Sequence, residues 1–92
     1  MERLVHNKIN KFLLEQWDPI GIHDIDEAQD EYSSYVYEIY NIILHSKSYE
    51  VLFEYLWELE THHMGLKGNR KKTHEFAQIL FNEIQEFMKN SK

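Results

Sequence analysis

Glu58, Glu60, His62 and His63 stand within six consecutive residues. Carboxylate and imidazole donors at that density are the material of a divalent-metal site. On a helix, Glu58 and His62 are four apart and share a face, so both reach one ion; His74 or His23 would supply the third ligand that a selective site needs. A metal-binding or metal-dependent enzymatic reading therefore rests on Glu58, His62, His63 and His74. Two ordinary roles compete with it. His63 falls on the apolar stripe of its helix, where a hydrogen-bonded core histidine is expected, and histidines in a last helical turn are favoured by the macrodipole without any metal.

The run His23, Asp24, Ile25, Asp26, Glu27, followed by Asp30 and Glu31, offers oxygen ligands for calcium. An EF-hand loop requires them at alternating positions, with a central glycine and a terminal bidentate glutamate. Ile25 and Ala28 break the alternation and no glycine follows Asp26, so these acids are assigned to the N-terminal end of the next helix, whose dipole favours them. Lys67, Arg70, Lys71 and Lys72 form the one basic cluster and could meet phosphate. The charge balance opposes nucleic acid as a partner. The chain carries −6; residues 1–66 hold four basic and 13 acidic side chains, a balance of −9, against six and three, or +3, in residues 67–92. Most of such a surface repels a polyanion. Three cations in a first helical turn also oppose the dipole, a mild cost that hints at some use.

Without cysteine there is neither a thiol nucleophile nor a disulfide scaffold. Ser33, Ser34, Ser46 and Ser48 lie in helix or cap contexts with no Gly-x-Ser-x-Gly elbow and no phosphate-cradling glycine loop. No catalytic residue is assigned and no cofactor is expected. The aromatics point elsewhere. Tyr32, Tyr35, Tyr37 and Tyr40 crowd nine residues, more than a single core face uses, and Phe53 and Trp57 oppose Tyr55 and Leu56 around the following helix. Tyrosine and tryptophan dominate interface hot spots because they bring rigid area and a polar tip. Tyr35, Tyr37, Phe53 and Trp57, with Asp30 and Glu31 as an acidic edge, are the candidate partner-binding residues; the alternative is a core that simply surrounds both helices.

Few breakers interrupt the elements that must position these groups: Pro19, Gly21, Gly65 and Gly68. Between them apolar residues recur at three- and four-residue steps, an all-α text. Val5, Ile9, Phe12, Leu13 and Trp17 mark a helix over 2–16, closed by Asp18 before Pro19. Tyr32, Val36, Ile39, Tyr40 and Ile43 mark one over 29–45. Leu52, Tyr55, Leu56 and Leu59 mark a third over 49–63, capped by Ser48 and stopped at Gly65. Phe76, Ala77, Leu80, Ile84, Phe87 and Met88 mark a fourth, capped by Asn69 and running to residue 89. The linker 19–28, with Ile20, Ile22 and Ile25, is too apolar for a free tether. The expected architecture is one domain over 1–92: a compact bundle of about four mostly antiparallel helices with an ordered apolar linker. No apolar run is long enough for a membrane span and the N-terminus lacks a signal-peptide pattern, so a soluble, cytoplasmic protein is expected.

Trp17-Asp18-Pro19-Ile20-Gly21-Ile22, then Asp30-Glu31-Tyr32 with Tyr35, Glu54-Tyr55-Leu56, and Met64-Gly65-Leu66-Lys67-Gly68 follow one another in an order that resembles the YugE-like family of small bacterial proteins of unknown function. The similarity runs over nearly the whole chain. It departs at Ser33, where the family often has aspartate. The resemblance implies a compact α-helical domain and supplies no activity or catalytic residue. Trp17, Asp18, Pro19, Gly21, Gly65 and Gly68 are read physically as turn-forming residues that determine the fold. The functional expectation is a small acidic, non-enzymatic module that binds another protein or itself, in one form an inhibitor or immunity-type protein whose acidic face covers a basic target.

Overall fold

Val5, Ile9 and Leu13 recur at one-turn spacing. In the computed structural model, which describes residues 2–18, 21 and 32–90, they lie buried along α1 (Glu2–Phe12) and the turn that extends it. That last turn, Leu13–Trp17, is π-helical: the Asp18 N–H donates to the Leu13 carbonyl across five residues at 2.7 Å. Widening the turn sends Leu13, Leu14 and Trp17 all into the core. The expected linker 19–28 lies, Gly21 apart, outside the described residues.

α2 (Ser33–His45) and α3 (Tyr49–Glu58) are joined by residues 46–48. Ser48 caps α3, its Oγ accepting from the Glu50 N–H at 3.2 Å. α3 also ends in a π turn, Leu59–His63, closed by the Met64 N–H on the Leu59 carbonyl at 2.8 Å. α4 (Arg70–Asn90) starts at Asn69, whose Oδ1 accepts from the Lys72 N–H at 3.1 Å. The result is the expected all-α, mostly antiparallel four-helix bundle.

α4 is the central strut. Its Ala77, Leu80 and Ile84 meet Val5 and Ile9 of α1, Ile39 and Ile43 of α2, and Leu52 and Leu56 of α3 in one fully buried cluster. The α3–α4 contact is the broadest in the bundle, and the Gln85 amide donates to the Ile43 carbonyl at 3.1 Å to tie α4 to the end of α2. Breadth of contact decides between the two readings of Phe53: on the second stripe of α3, it is buried at 3% exposure, with His74 and Arg70 of α4 against its ring, as the surrounding-core alternative had it. His63 departs in the other direction. It stands one turn beyond Leu59, the last buried apolar residue of its helix, and is exposed, its ring edge-on to Tyr35 at 5.8 Å.

Leu56 is wholly buried at the meeting of α3 and α4. Leu56→Ala is expected to remove about 2–5 kcal/mol from a domain whose net stability is of order 5 kcal/mol, read as a lowered or lost urea transition by far-UV circular dichroism.

Candidate functional site

A buried carboxylate needs donors to replace lost water, and Glu60, 4% exposed, has three. Its Oε1 accepts from the Trp17 indole N–H at 3.1 Å and from the Thr73 hydroxyl at 2.5 Å; its Oε2 accepts from the Asn69 N–H at 2.8 Å. These donors come from the end of α1, the first turn of α4 and the residue that caps α4. The carboxylate also sits where the helix dipole of α4 favours negative charge. It is therefore already the anion at that helix start. The depression of about 360 Å³ beside it, bounded by Trp17, Asp18, Glu60, Gly68, Lys72 and Thr73, is built around this internal tie.

The turn-forming strings converge on the same point. Trp17 stacks on Phe76, with ring centres 6.2 Å apart, and leans on Tyr32 at 5.7 Å. Asp18 takes a left-handed backbone (φ 35°); its carbonyl accepts from the Gly21 N–H at 3.1 Å and its Oδ1 from the Tyr32 hydroxyl at 2.9 Å. Tyr32, fully buried, is thus a core residue, as its place on the apolar stripe implied. Past α3, Gly65 adopts φ 68° and the Leu66 N–H donates back to the Glu60 carbonyl at 3.0 Å, a helix stop widened by the π turn. Gly68 (φ 79°) is constrained further: a Cβ there would lie 2.8 Å from Glu60 Oε2 and 2.9 Å from Trp57 Cζ3. Trp57, half-buried, stacks on Phe53, and the Arg70 guanidinium lies 4.8 Å above the Phe53 ring and 5.7 Å above that of Trp57. Arg70 of the basic cluster is thus engaged within the fold.

On the other side of α3 lies a more open depression of about 530 Å³, lined by Tyr55, Glu58, Leu59, His62 and His63. α2 adjoins it: Tyr35 meets the lining residue His63, and the charge of Glu38 acts on Tyr55. The Tyr55 hydroxyl is held above the ordinary tyrosine value, chiefly by burial, then by the negative charge of Glu38 and by Tyr35. Neither Glu38 nor Glu58 has a cationic partner among the described residues.

The sequence candidates separate accordingly. Glu58, His62 and His63 share the α2–α3 groove, but His74 packs edge-on to Phe53 and Tyr49 at 5.0 and 5.2 Å, toward the other end of α3. Glu60 turns inward, and among the described residues no three His, Asp or Glu side chains converge on a cation position. Of the partner-binding candidates, Tyr35 is half-buried on the groove, Tyr37 is 60% exposed beside His6 on another face of α2, and Phe53 and Trp57 pack under Arg70. Asp30, Glu31 and Pro19 lie outside the described residues. Sequence reasoning passed over Glu38 and the tying role of Glu60. The latter had a signal: Glu60 follows Leu52 and Leu56 at four-residue steps, on the apolar side of α3. No known protein family, curated protein or solved structure matches this chain.

Gly65 and Gly68, both left-handed, resist alanine by about 1 kcal/mol for backbone reasons, but of the two only Gly68 also faces a steric clash. Gly68→Ala is expected to lower the urea midpoint clearly more than Gly65→Ala. Tyr55 generates a second expectation, about pH. Its proton is held more tightly in the native than in the unfolded chain, so its contribution to stability is constant below the unfolded value of about 10 and falls as pH rises above it. Ultraviolet titration of the native protein should show a late phenolate transition that Tyr55→Phe removes and that Glu38→Gln moves toward lower pH.

Proposed function

We propose that the protein is a non-enzymatic interaction module whose docking face is the α2–α3 groove. The observation that carries this reading is the pair Glu38 and Glu58, two exposed carboxylates flanking Tyr55 from two helices with no cation among the described residues to neutralise them. Exposed negative charge beside half-buried tyrosine rings suits a partner that arrives from outside: it steers the encounter, and the rings supply rigid contact area. The interior supports the same reading, because Glu60, the buried carboxylate among the described residues, is occupied by three structural donors. The YugE-like resemblance, which implies a helical domain without an assigned activity, is compatible with it and adds no residue.

A photo-crosslinking residue placed at position 62, within the groove, is expected to give a discrete adduct in the producing cells, lost when Glu58→Lys is added. The same group at position 78, exposed on α4, should give none. Identical adducts from both positions, or none from position 62, would refute the docking face.

A further inference from the structure

We infer that the occupant of the α2–α3 groove is a basic amphipathic helix of another protein, an inference that rests on that groove being the docking face. The shape argues for a helix. Both adjoining elements are helices, and the described residues include no strand whose edge could pair with an extended segment. A strand laid against them would bury N–H and C=O groups beside helices whose own backbone bonds are already made, whereas a helix brings its bonds satisfied. Along α3 and its π turn Tyr55, Glu58 and His62 follow helical spacing over about 10 Å, the length of roughly two turns of a ligand helix.

Charge decides the sign of the ligand. Glu38 on α2 and Glu58 on α3 both lie near Tyr55 with no ion pair among the described residues, while Arg70 is held over Phe53 and Trp57 and Lys8 over Phe12 and Phe87. Lysine or arginine side chains carried in by the ligand would pair with Glu38 and Glu58, and Tyr55 and Tyr35 offer rings beside them. Its apolar stripe would meet Leu59 and the tyrosine rings. A second copy of this chain is the weaker fit, since each copy carries −6 and association sums like charge.

The test is selection from a displayed library of amphipathic helical peptides randomised in apolar stripe and flanking charge, with binders mapped by amide chemical shifts. Peptides flanked by lysine or arginine are expected to be enriched and to shift the signals of Tyr35, Tyr55 and His62. Their affinity is expected to fall at least about tenfold against Glu38→Gln/Glu58→Gln. The charge-reversed Glu38→Lys/Glu58→Lys protein is expected to select acidic flanks instead. Both variants change exposed side chains, and far-UV circular dichroism verifies their fold. Enrichment of acidic or uncharged helices at the groove would overturn the basic-helix inference while leaving the docking face standing. Basic peptides that map away from the groove, or bind the charge-reversed protein equally well, would overturn it too. Self-association lost with the Glu38 and Glu58 substitutions would replace the partner with a second copy. A failure to obtain any groove binder would remove both the inference and the docking face.

Discussion

Water solvates a carboxylate so well that removing it costs several kcal/mol unless donors take its place. At Glu60 those donors are supplied by two parts of the chain: the distant indole of Trp17 closing α1, and the start of α4, where the backbone of Asn69 and the hydroxyl of Thr73 both donate. The full set forms only when the end of α1, the end of α3 and the start of α4 arrive together. The buried charge therefore makes correct assembly of this end of the bundle a condition for its own burial. Gly68 belongs to the same constraint, because the loop must pass so close to Glu60 and Trp57 that a side chain has no room. The left-handed turn at Asp18, held by Tyr32, fixes where Trp17 sits.

This arrangement commits the polar groups at one end of the bundle: Glu60 is spent on structure, and Arg70 is spread over two aromatic rings. The exposed groups around α3 are unevenly placed. The α2–α3 side keeps two carboxylates with no ion pair among the described residues, two tyrosines and two histidines at an open depression, whereas the α3–α4 side is closed by broad packing. The acidic balance of residues 1–66, seen as a bulk property in the composition, thus acquires a location at Glu38 and Glu58.

Some of this was legible in residue order alone. The stripes Val5–Ile9–Leu13, Val36–Ile39–Ile43 and Ala77–Leu80–Ile84 are a local consequence of helical periodicity, and each is buried. The caps at Ser48 and Asn69 were readable for the same reason, since a capping side chain acts within a few residues of itself. Phe53 and Tyr37 looked alike as surplus aromatics. They ended differently, one covered by α4 and the other left in water, because burial is decided by the element opposite. His63 lay on the correct stripe but beyond the end of the core.

By itself, then, the sequence determined the helices, their caps, the all-α class and the absence of thiol chemistry, because propensity, periodicity and composition are local quantities. The tertiary structure alone decided what the charged and aromatic side chains became. It split the dense group of Glu58, Glu60, His62 and His63 by turning Glu60 inward to Trp17 and Thr73 while leaving Glu58 and His62 on the groove, and it set His74 against Tyr49 and Phe53. Neighbours in sequence were parted and distant residues joined, since a side chain's chemistry is set by the donors, rings and water that surround it in three dimensions.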